Sequence, residues 1–144
     1  MSFVSSKFHK SWLIVTAIVV GSFGPIFSLA TQSKMDALAQ LTLDLLAWPV
    51  DGGQAYSDGS MRFLSALTGG FLFGWGIMIL CLRQWVYDIT PEQTRRAVVA
   101  GLLAWFLLDS VGSFSAGVPS NALFNVLVLL IAVGPLWWAP RRIG

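Results

Sequence analysis

Residues 97–139 read AVVAGLLAWFLLDSVGSFSAGVPSNALFNVLVLLIAVGPLWWA. Two apolar runs, 97–116 and 122–139, flank the short turn GVPSN. Each is close to the roughly 20 residues that a helix needs to cross about 30 Å of hydrocarbon. Neither alternates polar and apolar residues as a barrel strand does. A segment in lipid must satisfy its own backbone, so both read as helices. The stretch therefore predicts an antiparallel hairpin of two spans, with Ser120 or Asn121 capping the second.

Outward from this hairpin, 11–31 and 63–82 are two more runs of spanning length. The expected architecture is all-α: one transmembrane domain over 1–144, an integral membrane four-helix bundle. Composition agrees, with 56% hydrophobic and only 11% charged residues, where a soluble chain is nearer a quarter charged. The first run has a rival reading. Lys7 and Lys10 resemble a signal-peptide n-region, and SLA ending at Ala30 resembles a cleavage site. The run is longer than a usual h-region, which favours an uncleaved span.

The third span has a start signal in DITPEQTRRA. Thr90 is placed to cap, Pro91 suits the first helical position, and Gln93 completes a capping box. Between spans one and two lies one sizeable extramembrane piece, 32–62. Leu38, Leu41, Leu45 and Trp48 share one helix face there, with Asp36, Gln40 and Asp44 near the other. This predicts a short amphipathic helix, lying on the membrane or capping the bundle, that Pro49 ends. A loop, DGGQAYSDGS, follows.

The chain holds nine Lys and Arg. Lys7, Lys10, Arg83, Arg95, Arg96, Arg141 and Arg142 fall on one side of a four-span arrangement, and Lys34 and Arg62 on the other. The positive-inside rule then places both termini in the cytoplasm. Trp12, Trp85, Tyr87, Trp137 and Trp138 sit at the terminal boundary, with Trp48 and Tyr56 opposite, as interfacial anchors do. Trp75 and Trp105 fall mid-span, where packing or a ligand wall must explain them.

Small residues mark expected helix contacts. The second span offers Ala66, Gly70 and Gly74, the first Ala17, Gly21 and Pro25, and the third Ala97, Gly101 and Ala104. Asp109 is the one acid inside a span. Ser110, Ser113 and Ser115 follow it, Asn121 and Asn125 open the fourth span, and Arg62 opens the second on the same side. A carboxylate at the bilayer centre costs about 2.5–3.5 kcal/mol on insertion scales, and less toward the interface. Asp109, Arg62, Asn121, Asn125 and Ser113 therefore form an expected polar cluster, either a tie between helices or a ligand for a polar headgroup.

Several chemistries are excluded or disfavoured. The formal charge is only +2 and no basic run suits nucleic acid. Lone Cys81 and lone His9 rule out a dithiol relay or bis-His haem within one chain, and four zinc ligands of those types are not present. No cofactor, metal or catalytic constellation is expected, which argues against an enzyme.

SDGSMRFLSALTGGFLFGWG (57–76) and RRAVVAGLLAWFLLDSVGSFSAGVPS (95–120) together resemble small, mostly uncharacterised bacterial four-helix inner-membrane proteins, broadly the DoxX-like group. The resemblance covers 58 to the end. It implies a bacterial inner-membrane location and, in some members, thiosulfate–quinone redox chemistry, for which this chain has no cysteine pair. The first functional expectation is an accessory or assembly subunit of a larger membrane complex, its partners being membrane lipids, other membrane subunits or a second copy. The alternatives are a quinone- or lipid-binding, redox-linked protein and a small oligomeric transporter.

Overall fold

The computed structural model describes residues 6–56 and 58–139. Five α-helices follow in order: α1 (Ser6–Leu29), α2 (Ala37–Leu46), α3 (Gly59–Cys81), α4 (Pro91–Ser115) and α5 (Pro119–Val133). No strand occurs among the described residues. A π-helical turn, Leu82–Val86, extends α3, and a 3-10 turn, Gly134–Trp137, extends α5. With these extensions α1, α3, α4 and α5 are long and apolar enough to cross a membrane. The chain is an all-helical integral membrane protein, a four-helix bundle with one short helix between spans one and two. Four crossings bring both ends of the chain to one face, and place α2 and the α4–α5 turn at the other. Arg141 and Arg142 of the basic set lie outside the described residues, and so does Ser57 of the loop before α3.

The surface is apolar. Phe71 is 75% exposed and Leu108 78%, a placement that water would penalise and that acyl chains match. Burial of apolar groups therefore supplies little drive for helix association, and the seams must rest on close packing and hydrogen bonds.

The tightest seam joins α1 to α3 in antiparallel order. Ala17 and Gly21 of α1 face Gly76 of α3, Gly24 faces Phe73 and Gly69, and Ser28 faces Gly69. A Cβ on Gly76 would stand 2.8 Å from the Gly21 Cα and 2.9 Å from the Ala17 carbonyl oxygen. One on Gly24 would stand 2.6 Å from the Phe73 Cβ and 3.0 Å from the Gly69 oxygen. Ser65 Oγ donates across the seam to the Phe27 carbonyl at 2.8 Å. Its hydrogen being so used, it accepts from the Tyr56 hydroxyl at 3.2 Å.

The contact stripe therefore differs from the expected one. A methyl group on Gly70 or Gly74 would meet nothing within 4 Å, and both glycines are exposed; they face lipid. The contact uses Gly69 and Gly76, two turns apart, with Leu72 in the intervening turn. Ala66 is half-buried beside the seam. On α1, Gly21 is in contact but Pro25 is exposed, and Gly24 takes its place. On α4, Ala97 and Ala104 are exposed, whereas Gly101 lies under the Trp75 indole.

The second pair is α4 with α5. α1 also touches α5, but α3 and α4 scarcely meet. The two hairpin-like pairs pack together from the terminal face to mid-bundle, through Leu13, Ala17, Val20, Leu102, Leu129 and Ala132, and part toward the α2 face.

At the terminal face a polar clamp also joins them. The 3-10 turn after α5 leaves carbonyls without helical partners. His9 Nε2 donates to the Pro135 oxygen at 3.0 Å, and Arg95 Nη1 donates to Leu136 at 2.7 Å. Arg95 also holds Glu92 through two bonds of 2.8 Å. Arg83 Nε donates to the Lys10 carbonyl at 2.8 Å, and Lys10 pairs with Asp88. The π turn carries Tyr87 inward, where its hydroxyl donates to the Ser6 carbonyl at 3.1 Å. Burial raises the Tyr87 phenol above its ordinary range, which keeps it a neutral donor. Gly134 ends α5 at φ +43°, and the Trp12 indole lies against it where a side chain would stand. Thr90 precedes Pro91 as expected, but its side chain makes no cap bond. Glu92 bonds to Arg95 and Arg96 in the first turn instead.

At the other face α2 acts as a strap. Its Leu38, Leu41, Leu45 and the following Trp48 point away from the protein, while Ala39, Thr42 and Asp44 are buried. The amphipathic helix is present, with its apolar face given to lipid and its polar face to the bundle. Ser120 does not cap α5, which begins at Pro119 after Val118. Its hydroxyl donates to the Leu46 carbonyl at 2.5 Å and accepts from the Trp48 N–H at 3.2 Å. Those two bonds latch the end of α2 onto the start of α5.

The seam makes an asymmetric prediction. Gly76→Leu should lower stability in detergent by about 1–3 kcal/mol, the cost of overpacking a close contact. Gly74→Leu should unfold with the wild type. Thermal unfolding of both variants checks it, and equal melting would mean that Gly76 is not at the contact.

Candidate functional site

Toward the α2 face the α1–α3 and α4–α5 pairs part around a half-open cavity of about 380 Å³. Its walls come from every span: Val20 and Phe27 of α1, Leu72 and Trp75 of α3, Trp105 of α4, and Phe124 and Val128 of α5. Trp75 and Trp105, anomalous as interfacial anchors, both line it. Trp75 spans the gap where α3 and α4 fail to touch, with its Cζ2 3.5 Å from the position of a Cβ on Gly101.

At the α2 end of this cavity the wall becomes polar. Asp109 Oδ2 accepts from Asn125 Nδ2 at 2.6 Å and from Asn121 Nδ2 at 3.0 Å. Asn121 also donates to Ser113 Oγ at 2.7 Å, and Asn125 to Ser110 Oγ at 3.3 Å. Ser113 spends its own hydrogen on the Asp109 carbonyl, at 2.7 Å. Asn125 is only 3% exposed, and Asp109 is half-buried. The spacing explains the convergence. Asp109 and Ser113 are one turn apart on α4, Asn121 and Asn125 one turn apart on α5, and the tight turn between them puts the two pairs at one depth. Asp109 lies six residues before the end of α4, about 9 Å below it at 1.5 Å per residue.

A second cavity, about 610 Å³, lies beyond this cluster under the strap. Leu46, Trp105, Asp109 and Asn121 line both spaces. Asp109 therefore stands at the junction of an apolar chamber and an outer one roofed by α2.

Four of the five expected cluster residues meet: Asp109, Asn121, Asn125 and Ser113. Arg62 does not join them. Its Nη1 donates to the Ala30 carbonyl at 2.8 Å and its Nη2 pairs with Asp36 at 3.0 Å. The expected Asp109–Arg62 pair is thus corrected. Asp36 is the residue just before α2, and it is nearly buried against the α1–α3 pair, so it reaches Arg62 on the other hairpin from Asp109. Ser110, one of the hydroxyls that follow Asp109, joins the cluster through Asn125; Leu46 and the Ser120 latch were not foreseen. The reach of α2 across to α5 leaves no local pattern.

Among the described residues no Lys, Arg or His lines either cavity, and no group of three or more potential metal ligands occurs. These features define a class: a small polytopic helical membrane protein with a lipid-depth cleft, apolar along its length and polar at one end. No family model, curated protein or solved structure matches the chain, so the cleft is interpreted through its own chemistry.

The rearranged ion pair is testable by a double-mutant cycle. Arg62→Ala and Asp36→Ala should show a coupling of about 0.5–3 kcal/mol, as contacting residues do. Arg62→Ala combined with Asp109→Ala should be additive. Unfolding in detergent measures both cycles. Coupling confined to Arg62 and Asp109 would contradict the geometry.

Proposed function

We propose that the protein is a non-catalytic membrane protein that binds one amphipathic molecule between its two hairpins. The tail lies in the chamber between Trp75 and Trp105, and the polar head rests on the Asp109–Asn121–Asn125 cluster. The observation that carries this reading is the coincidence of a cavity of ligand size with a polar cluster at only one of its ends. An amphiphile in a leaflet has the same polarity profile at the same depth. Of the alternatives raised by the sequence, this reading takes up lipid binding and gives the quinone-linked, redox DoxX-like chemistry no part.

The accessory-subunit reading would instead seat a partner on the outer apolar surface, where Phe71 and Leu108 are exposed.

Native mass spectrometry after extraction in mild detergent separates these readings. One retained small amphiphile per chain is expected, and Val128→Phe, which fills the chamber, should abolish it. A stoichiometric protein partner with no small-molecule adduct would favour the subunit reading and overturn this one.

The orientation proposed with it puts both termini in the cytoplasm, on the basis of the charge split, and so directs the polar end of the cleft to the outer leaflet. A reporter active only in the cytoplasm should work when fused after Gly144. A reporter active only outside should work when inserted near Gly52, in the exposed loop after α2. The reverse pattern would invert the cleft.

A further inference from the structure

The cluster has a chemical sign that the sequence alone did not disclose. Both amide hydrogens of Asn121 and both of Asn125 are consumed within it, and so is the Ser113 hydroxyl. Thr68, also on the chamber wall, spends its hydrogen on the Leu64 carbonyl of its own helix at 2.9 Å. What remains unpartnered around Asp109, among the described residues, is mainly acceptor capacity. Asp109 Oδ1 and the amide oxygens of Asn121 and Asn125 receive no hydrogen bond. Acceptors outnumber the free donors: only the Ser110 hydroxyl, which accepts from Asn125, and the Trp105 indole N–H donate to nothing beside them, and Gln54 adds an amide on the outer cavity.

The charge is equally one-sided. Among the described residues Asp109 has no ion-pair partner: Arg62 is taken by Asp36, Lys10 by Asp88, and Arg95 and Arg96 by Glu92, while Lys34, the other cation on the α2 face, is exposed and forms no ion pair. The acid is left among acceptors, with two indoles on the adjoining wall, and an indole face attracts a cation. A quinone or a carbonyl-headed lipid offers acceptors to a site that already has them in excess. A phosphate would add negative charge beside a carboxylate in surroundings of low dielectric. A zwitterionic lipid brings that same phosphate.

We propose, resting on the amphiphile-binding reading above, that the cleft selects a monocationic amphiphile whose head carries N–H groups: a long-chain amine in its ammonium form. The ammonium donates to Asp109 Oδ1 and to the asparagine oxygens, supplying the counter-charge that the chain withholds. Its alkyl tail runs into the chamber past Trp105. The outer cavity under α2, bounded by Leu46 and the Ser120 latch, is the approach to the head site from the α2 face.

The test uses the full chain in a nonionic detergent and three probes: dodecylammonium chloride, dodecanol with the same tail and no charge, and ubiquinone-1 with an acceptor head. Binding is measured by isothermal titration. Dodecylammonium should bind saturably at one site, with dodecanol and ubiquinone-1 each weaker by about tenfold or more, the worth of a hydrogen-bonded charge. Asp109→Asn should remove that preference and leave dodecanol unaffected. If Asp109→Asn does not fold, the wild-type ranking of the three probes decides alone. Dodecanol or ubiquinone-1 binding as tightly as the ammonium would overturn the head-group assignment and leave the amphiphile reading standing. Binding of none of the three would overturn both. Tighter binding of phosphatidylethanolamine in nanodiscs than of dodecylammonium would overturn the monocationic assignment in favour of a zwitterionic lipid.

Discussion

The close approach of α1 and α3 through Gly21, Gly24, Gly69 and Gly76 is the constraint on which the rest depends. Lipid gives two apolar helices no reason to prefer each other over acyl chains. What holds them is contact at backbone distance, which a single methyl on Gly76 would prevent, together with Ser65 bonding across to Phe27. A pair joined this tightly behaves as one rigid wall. α4 and α5, joined by the short turn 116–118, form the other. The cleft exists because the walls pack together over the half of their length nearer the terminal face and separate toward α2, where only the strap joins them again.

The two fastenings differ in kind. At the terminal face, side chains of α1 satisfy carbonyls at the end of α5: His9 donates to Pro135, Trp12 to Ile131 and Thr16 to Ala132. Such bonds set distance and angle together and leave little play. At the α2 face, one hydroxyl, Ser120, joins the strap to the far wall. Local opening draws on the least stable contacts of a fold. The α2 latch, a pair of hydrogen bonds over a 610 Å³ space, is weaker than the terminal network. Access to the cleft is thus easiest from the end where its polar residues lie.

Much of this was legible in the sequence. The four spans and the short helix follow from run length and helical spacing, and all are present in the fold. The meeting of Asp109, Asn121, Asn125 and Ser113 was readable because one tight turn and two one-turn spacings fix it locally. The Arg62 pairing was not. Depth places Arg62 level with Asp109 without saying on which hairpin it turns inward. Asp36, only a few residues past α1, competes at much shorter range. The glycine register failed for a related reason. Gly69 and Gly70 are adjacent, and either starts a stripe of small residues; only the partner helix, with Gly21 and Gly24, selects Gly69 and Gly76.

The partner that Arg62 takes changes the meaning of the site. With Arg62 on Asp109, the acid would be half of a neutral tie, and the cavity beside it would be an ordinary packing defect. With Arg62 drawn to Asp36, the bundle keeps one acid at lipid depth, supports it with amide hydrogens from α5, and supplies no cation. Two donors converging on Oδ2 stabilise the acid's position without neutralising it. Replacing Asp109 by an apolar residue would spare an insertion cost of about 2.5–3.5 kcal/mol at most, and would remove the two hydrogen bonds by which it joins α4 to α5. An acid that ties α4 to α5 through Oδ2, has no ion-pair partner among the described residues and opens to a chamber with aromatic walls is the feature on which the proposed cation site rests.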